Sequence, residues 1–278
     1  MPTPLKRKRI SGKEQYFTLP EVVNLCLEVL LKHTSTDSVF LEPAGGTGEF
    51  IEGLLRNGIL GEKIESYDIE PRHNLVQKTS DFLEENIPYK SERIIVSNPP
   101  FGRANSLSVK FFNHCAVSGD VIGFLIPKAW RKWSVQGRLD LDFHLVEDID
   151  MPPVSFYDVN GSPHVGGKLQ TIFQVWKRGT PKRQKVEIQD RGYIQKVKPE
   201  EADVSLTIFG RGCGRLKEEF PKVPNTTQMF LKVKNKKVVQ ALKSVDFSRF
   251  FNNVSYTEAL SIKEIMFLLN EYFDNKVA

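Results

Sequence analysis

The sequence predicts an α/β protein in which helices cover both faces of a mostly parallel β-sheet, with a smaller part at the C-terminal end. Two observations lead to this fold class. Short apolar segments with the composition of buried strands alternate with helical segments at the spacing of βαβ units. Turns rich in glycine or proline directly follow several of these strands. Open parallel sheets bind their ligands at the carboxyl ends of the strands, so these turns are the natural place for a site.

The first predicted helix begins at Pro20, where the first turn of a helix tolerates proline, and runs to about Lys32. The pattern then predicts a strand at Ser38–Leu41, a helix at about Glu49–Arg56, a strand at Ile64–Ile69, a helix that Pro71 opens, a strand at Arg93–Ser97, a helix at Val109–Val117, and strands at Asp120–Ile126 and Leu169–Lys177.

The alternation weakens beyond Gly179, and we place a domain boundary near residue 180. The C-terminal part is predicted to contain strands around 204–209 and 229–233 and helices around 237–242 and 261–273. The sequence thus divides into a basic arm (1–15), a principal domain (16–180) and a small basic region (181–278).

The composition argues against several classes of protein. No apolar run approaches the roughly 20 residues that a membrane-spanning helix needs, and the polar, basic start has no secretory core. Cys26, Cys115 and Cys213 form no CxxC pair, and the 5 histidines form no close cluster. We therefore expect an intracellular protein with neither a disulfide framework nor a metal centre.

The formal net charge of +5 is unevenly distributed along the chain. Lysine and arginine are concentrated at Lys6–Arg9 and after Pro181: residues 181–278 carry a net charge of +6, whereas the first 180 residues, with the basic start included, sum to −1. This pattern favours a polyanionic partner such as nucleic acid, although an ordinary solvated surface also produces it. The Lys6–Arg9 run fits either a nuclear-import signal or an arm that contacts phosphates, so cytoplasmic and nuclear locations both stay open.

A turn of small residues, Glu42-Pro-Ala-Gly-Gly-Thr-Gly48, joins a predicted strand to a helix. Small residues such as Ala44 and Gly46 allow a ligand to approach the backbone near the start of a helix. The turn has neither the GxGxxG spacing of dinucleotide folds nor the Gly-Lys-Ser/Thr of a phosphate loop. An acidic residue at the strand end, Glu42, argues against a phosphate and favours a ligand that carries an ammonium group.

Two acidic residues follow at positions that suit a nucleoside. Asp68 ends the second predicted strand, where a carboxylate can accept hydrogen bonds from ribose hydroxyls. Ile69 beside it could cover an adenine face, and Asp81, before Phe82, could accept a bond from an adenine amino group. Each of these acids could equally cap a helix.

The segment Asn98-Pro99-Pro100-Phe101 directly follows an apolar strand. The two prolines fix the backbone and remove two N–H donors, which leaves the Asn98 side-chain oxygen and the Pro99 carbonyl as acceptors beside an aromatic ring. Two acceptors that hold both N–H bonds of an aromatic amine would localise its lone pair and stabilise the charge that develops during methylation. Phe101 would hold an extruded base by stacking.

Together these residues resemble the amino-methyltransferases, in particular the N6-adenine-specific DNA methyltransferases of the gamma motif order. Over roughly residues 11–178, the resemblance is carried by Lys13–Val23, Leu41–Phe50, Asp68, Asp81–Leu83, Asn98–Phe101, Phe124–Trp130 and Phe156.

The resemblance implies a Rossmann-like S-adenosylmethionine-dependent methyltransferase domain with a C-terminal recognition region. By its motifs, Phe17 and Thr18 would close over the methionine end of the cofactor, and Glu42 would hold its ammonium group. Asp68 would bind the ribose, and Asp81 and Phe82 would contact the adenine. Cofactor contacts are also expected from Ala44, Gly46, Ile69 and Asn98.

The expected reaction is methyl transfer to the N6 amino group of a flipped-out adenine, with Asn98–Phe101 as the catalytic segment and Phe101 and Phe156 stacking the base. Arg103, Lys128, Arg131, Lys132 and the basic C-terminal residues would contact phosphates. Trp130 and Trp133 are expected to pack in the interior.

Duplex DNA is the favoured substrate, and three alternatives stay open. RNA methylation at the same amine is the nearest, because NPPF followed by glycine also occurs in enzymes that resemble RNA N6-adenine methyltransferases. Methylation of a protein glutamine amide uses the same chemistry, although such enzymes typically carry tyrosine after the two prolines. The last alternative is a catalytically inactive nucleic-acid-binding subunit.

Overall fold

The computed structural model describes residues 17–35, 38–153, 155–157, 169–251 and 253–275. The basic arm predicted at 1–15, with the Lys6–Arg9 run, lies outside the described residues.

In chain order the elements are β1 (Phe17–Thr18), α1 (Pro20–Leu30), β2 (Val39–Glu42), α2 (Glu49–Arg56), β3 (Ile64–Asp68), β4 (Lys78–Thr79), β5 (Arg93–Ser97), α3 (Ser106–Ala116), β6 (Val121–Pro127), α4 (Trp133–Gln136), β7 (Phe143–Asp150), β8 (Phe156–Tyr157), β9 (Thr171–Arg178), β10 (Ile194–Lys196), β11 (Val204–Thr207), β12 (Leu216–Lys217), β13 (Gln228–Val233), α5 (Lys236–Ser244) and α6 (Ile262–Asp274).

The chain divides into two compact units. Among the described residues, the first unit draws on those between 17 and 127, between 138 and 157, and between 171 and 183, and the second on those between 128 and 137, between 169 and 170, and between 184 and 275.

The first unit is built on a seven-stranded sheet of order β4-β3-β2-β5-β6-β9-β7. The five strands from β4 to β6 are parallel, and β9 pairs antiparallel with both of its neighbours. The order reverses at β2, so the segments that follow β2 and β5 emerge on either side of a topological switch point. The predicted α/β fold class, with a mostly parallel sheet, is confirmed.

Close packing of α1 on the sheet follows from its sequence. Pro20 occupies the first helical position, and the apolar residues Val22, Cys26 and Leu30 are fully buried. At Gly123, in the fully buried strand β6, an added Cβ would lie 2.9 Å from Leu30 Cδ1 and 2.8 Å from the Phe173 ring. Glycine is therefore needed there for the helix to lie against the sheet.

The prediction of a helix that begins at Pro71 is wrong. The segment 71–77 is irregular and leads into the short strand β4. Its backbone donors are taken by other partners, because Arg72 N–H donates to the Gly46 carbonyl (2.9 Å) and Gln77 N–H donates to Ser66 Oγ (3.0 Å). The segment is thus held to the sheet and to the glycine-rich turn, which prevents the hydrogen-bond ladder of a helix.

The second unit contains a four-stranded antiparallel sheet of order β10-β13-β11-β12 together with α4, α5 and α6. Leu206, Leu231, Leu242 and Ile265 are among the residues of its apolar core. The strands and helices predicted between residues 204 and 273 are confirmed with shifts of a few residues at their ends. Trp133 packs here, with its ring centroid 5.0 Å from that of Phe267.

None of the helices in the described ranges is long and apolar enough to cross a bilayer. The same ranges contain no group of three or more histidine, cysteine, aspartate or glutamate side chains that could hold a metal ion.

Candidate active site

The residues singled out in the sequence follow three adjacent parallel strands of the first unit. Glu42 ends β2, Asp68 ends β3 and Asn98 directly follows β5, and β2 lies between β3 and β5. The carboxyl ends of neighbouring parallel strands meet at one edge of a sheet, so the three segments emerge side by side.

The turn after β2 depends on glycine at several positions. Gly46 and Gly48 have positive φ angles of 48° and 81°, a region that glycine enters without strain. A Cβ at Gly45 would lie 2.8 Å from Val76 Cγ2, and one at Gly48 would lie 2.7 Å from His73 Cγ. At Gly46 an added Cβ would meet only atoms 3.9 Å or more away. The turn is thus packed on the segment 73–76 and has more space at Gly46.

Glu42 is a buried carboxylate at the end of β2, only 1% exposed. Its Oε1 accepts a hydrogen bond from Ser97 Oγ (2.5 Å) and one from the Ala44 backbone N–H (2.9 Å). Among the described residues, no lysine, arginine or histidine lies within salt-bridge distance of it. Burial raises the pKa of Glu42 to about 8, which the two hydrogen bonds oppose and the nearby Asp68 charge reinforces.

Asp68 connects the end of β3 to the glycine-rich turn. Its Oδ2 accepts the Gly46 N–H (2.8 Å) and its Oδ1 accepts the Glu70 N–H (2.7 Å). The next side chain, Ile69, is 61% exposed. An accessible acid beside an exposed aliphatic side chain suits contact with a ribose and an aromatic base.

Asp81 and Phe82 lie just beyond β4, whose Thr79 pairs with Asp68 of β3. Asp81 Oδ1 caps a short helical turn by accepting the Leu83 N–H (3.0 Å). The Phe82 ring is 2% exposed and packs against Tyr67, with ring centroids 5.5 Å apart. The Phe82 ring therefore lies in the core, and Asp81 is the more accessible of these two residues.

The segment Asn98–Phe101 forms the turn that ends β5. Asn98 is half-buried with a solvent-shielded Oδ1, and Pro99 and Phe101 are buried. The Phe101 carbonyl accepts the backbone N–H groups of Leu107 (3.1 Å) and Ser108 (3.3 Å). The turn is consequently fixed at one end by the sheet and at the other by the first residues of α3.

The loop between this turn and α3 has an unusual backbone. Gly102, Ala104 and Asn105 all have positive φ angles, of 69°, 52° and 60°. Such conformations are costly for residues other than glycine and tend to occur at functional sites. Arg138 supports the loop by donating from Nη2 to the Ala104 carbonyl (3.0 Å).

A two-stranded antiparallel ribbon, β1 with β8, places Phe17 opposite Tyr157 and Thr18 opposite Phe156. The Phe156 ring lies 6.3 Å from the Phe101 ring, measured between centroids. The other end of the ribbon reaches the glycine-rich turn, where Tyr157 Oη donates to Thr47 Oγ1 (3.0 Å). The ribbon thus contacts both the turn after β2 and the aromatic residue of the turn after β5.

The basic residues that the sequence associates with phosphate contacts differ in accessibility. Arg103 is exposed on the first unit. In the second unit Lys128 is only 8% exposed, and Lys132 Nζ pairs with Glu264 Oε2 at 3.6 Å. Arg103 is therefore the most accessible of these three cations.

Comparison with known proteins gives likeness in structure alone, since no protein-family model and no curated protein sequence matches the chain. PH1948 of Pyrococcus horikoshii, a candidate RNA methyltransferase, is 11% identical over 62% of this chain and 92% of its own, with a TM-score of 0.45. The 23S rRNA methyltransferase ErmE is 16% identical over 62% and 72%, with a TM-score of 0.41. The M protein of the type I restriction enzyme EcoKI is 14% identical over 96% and 71%, with a TM-score of 0.43. At these values no residue role and no substrate transfers to this chain.

The structure adds two side chains that the sequence patterns did not single out. Ser97, the last residue of β5, donates to Glu42, and Tyr157 reaches Thr47 on the turn after β2. The position of Ser97 immediately before Asn98 could have indicated its role. Tyr157 carries no such signal, because its contact depends on how the ribbon folds over the turn.

Proposed function

We propose that this protein transfers a methyl group from S-adenosylmethionine to the N6 amino group of adenine in DNA. The observation that carries the proposal is the hydrogen bond from Ser97 to Glu42. It joins the end of β5, where the acceptor-rich turn Asn98–Phe101 begins, to a buried carboxylate suited to an ammonium group. A cofactor bound at Glu42 and an amine held at Asn98 would lie on neighbouring strand ends.

The donor set of the turn after β2 fits S-adenosylmethionine. Glu42 is a buried carboxylate without a cationic partner among the described residues, and an ammonium group would supply one. Gly46 leaves room for a ligand beside the backbone, and Asp68 and Ile69 suit a nucleoside. These residues would hold the methionine and adenosine parts of the cofactor at adjacent strand ends.

Bound S-adenosylmethionine supplies an electrophilic methyl group. The Asn98 side-chain oxygen and the Pro99 carbonyl accept the two N–H bonds of the adenine amine, which otherwise shares its lone pair with the ring. This localises the lone pair on nitrogen and stabilises the positive charge that develops there as the nitrogen–methyl bond forms and the sulfonium–methyl bond breaks. The methylated amine then loses one proton to solvent, and S-adenosylhomocysteine leaves. Phe101 and Phe156, whose ring centroids lie 6.3 Å apart, offer a pair of adjacent aromatic rings against which the extruded base packs, and Ser97 keeps the Glu42 carboxylate oriented.

The preference for DNA rests on the order of the motifs, in which the cofactor turn precedes the catalytic turn and a C-terminal region follows. That order resembles the gamma N6-adenine DNA methyltransferases. The basic character of residues 181–278 suits a polyanionic substrate.

Replacement of Asn98 tests the proposed chemistry. Asn98→Ala removes one of the two acceptors for the amine, and we expect methyl transfer to duplex DNA to fall by roughly 100- to 1,000-fold, the loss typical of one preorganised transition-state contact. S-adenosylmethionine binding, measured by calorimetry, should survive. Asn98→Asp retains an acceptor oxygen at this position and should recover part of the rate.

Asn24→Ala is the matched control. Because Asn24 is exposed on α1, this variant should methylate DNA at the wild-type rate. Circular dichroism would verify that each variant folds. Near-normal methylation by folded Asn98→Ala would contradict the proposal.

A further inference from the structure

A glycine- and arginine-rich loop connects β11 to β12 in the second unit. Its sequence from position 209 to 217 is Phe-Gly-Arg-Gly-Cys-Gly-Arg-Leu-Lys. Gly210, Gly212 and Gly214 have positive φ angles of 79°, 84° and 85°. Glycine at these three positions lets the chain reverse repeatedly, so the intervening arginines are presented on a short, sharply folded segment.

The loop is fixed to the rest of the unit by backbone hydrogen bonds. Gly210 N–H donates to the Glu258 carbonyl (2.9 Å), and Gly214 N–H donates to the Thr207 carbonyl (2.8 Å). Cys213 is 9% exposed and belongs to the apolar core, so it anchors the middle of the loop. The arginine side chains therefore project from a defined backbone rather than from a free segment.

Two clefts adjoin the loop and share Arg211 and Gly212 in their linings. One, of about 550 Å³, is also lined by Tyr256, and the other, of about 390 Å³, by Phe209 and Arg215. Phe209 is 50% exposed and Tyr256 is 55% exposed. A backbone bridge between Phe209 and Ala259 holds the two aromatic segments next to each other.

The charge of this surface is positive. Arg211 and Arg215 are exposed, and neither forms an ion pair with an acidic side chain of the described residues. Lys217 lines the second cleft and adds a third cation, whereas Glu258 is the acidic residue of the first. Cations interleaved with exposed aromatic rings are the combination that binds unpaired nucleotides, because cations contact phosphates and rings stack on bases.

We propose that this surface, formed by Phe209, Arg211, Arg215, Lys217 and Tyr256, binds single-stranded DNA with its bases unpaired. The assignment rests on the proposed function, in that a nucleic acid is the substrate, and it gives the unpaired nucleotides of a DNA substrate a place on the second unit. Duplex DNA offers phosphates but keeps its base faces stacked, so Phe209 and Tyr256 would have nothing to stack on.

Two threonine hydroxyls in the lining of the second cleft do not favour RNA. Thr207 Oγ1 is hydrogen-bonded to the Gln228 side chain, and Thr227 Oγ1 donates to Asn225 Oδ1 (2.8 Å). Recognition of RNA over DNA at a site requires contacts with the 2′-hydroxyl groups. Because these threonine hydroxyls are engaged with the protein, the surface should bind DNA at least as tightly as RNA.

Fluorescence anisotropy with a labelled 20-nucleotide single strand of mixed sequence, measured without cofactor over a series of salt concentrations, tests the proposal. R211A/R215A should weaken binding by roughly tenfold or more. It should also reduce the slope of log affinity against log salt by about 1.4, the value for two phosphate contacts on a single strand. K236A/K237A removes two exposed positive charges from α5 and serves as the matched control.

Replacement of the two aromatic residues, Phe209 and Tyr256, provides a second, independent test. F209A/Y256A should weaken binding by about fivefold or more per ring and leave the salt slope unchanged, because stacking releases no counterions. F209L/Y256L keeps apolar bulk without a stacking face and should show the same loss even if the alanine variant folds poorly. V186A/V223A, at two exposed apolar positions, is the control.

Three results would overturn the proposal: equal losses in the control and test pairs, tighter binding of duplex than of single strand, or tighter binding of an RNA single strand than of a DNA single strand of the same sequence. The assay measures binding without methyl transfer. An enzyme that binds as described but transfers no methyl group would contradict the proposed function alone. Methylation that survives together with unaltered binding by both test pairs would contradict the surface alone.

Discussion

At the scale of single residues, Glu42 dominates the electrostatics of the candidate site. Its carboxylate is buried, and its pKa is raised to about 8 chiefly by that burial. At pH 7 the empty protein therefore keeps Glu42 mostly protonated. An ammonium group placed against it favours the ionised form, so ligand binding and proton release are coupled.

Proton release on binding of S-adenosylmethionine should therefore approach one per molecule at pH 7. The apparent affinity should rise with pH up to about 8, where Glu42 becomes ionised, and fall above it as the ligand amine, with an ordinary pKa of about 7.7–8.0, loses its own proton. Calorimetry in buffers of different ionisation enthalpy measures the release. Glu42→Gln should bind more weakly and release none, while Glu28→Gln, at an exposed position on α1, should behave like the wild type. Wild-type binding without proton release would contradict this role.

At the scale of elements, the turns at the strand ends were predictable because their chemistry is local. The glycines at 45, 46 and 48 and the prolines at 99 and 100 determine which backbone conformations are possible. The turns after β2 and β5 therefore follow from the sequence. The buried strands β5 and β6 were predictable because both are continuously apolar.

Elements whose partners are distant in sequence were not predictable in the same way. Strand β7 carries Glu147, Asp148 and Asp150, lies at the edge of the sheet and has an irregular register after Leu145, so its pattern is that of a charged loop. The strands of the β1–β8 ribbon are two residues long and exist only because they pair with each other.

The loop after Asn98–Phe101 should be sensitive to an added methyl group at Gly102. Its φ of 69° strains any other residue, and a Cβ would lie 2.8 Å from Leu107 Cβ and 2.9 Å from Leu107 N. Gly102→Ala must therefore displace either the turn Asn98–Phe101 or the start of α3. If this turn holds the amine as proposed, we expect kcat for methyl transfer to fall by about tenfold or more, since small misplacements at a reacting centre are costly.

Gly58→Ala isolates the effect of crowding. Gly58 also has a positive φ, of 82°, but an added Cβ there would meet nothing within 4 Å. The Gly58→Ala variant should unfold at a slightly lower temperature in thermal melts and keep the wild-type kcat for methyl transfer. Equal turnover by folded Gly102→Ala and Gly58→Ala would contradict the proposed role of the Asn98–Phe101 turn in positioning the amine.

At the scale of the whole molecule, the sequence predicted the principal sheet better than the second unit. The βαβ alternation specifies strand type and direction, and it places Glu42, Asp68 and Asn98 at one sheet edge. The second unit lacks such repetition, and its strands pair antiparallel in the order β10-β13-β11-β12, which no periodicity encodes. The sequence also gave no signal that Phe209 and Tyr256 would adjoin clefts sharing Arg211, because the two aromatic residues are far apart along the chain.

The most direct measurement of the central claim is the transfer of labelled methyl groups from S-adenosylmethionine to unmethylated duplex DNA and to total RNA in parallel. The products are then digested to nucleosides and identified, with Asn98→Ala as the inactive control. We predict that the label appears in the DNA sample as N6-methyladenine and that Asn98→Ala gives at most about one hundredth of it. Label confined to RNA, label on another base, or no label in either sample would contradict the assignment of this chain as an N6-adenine DNA methyltransferase.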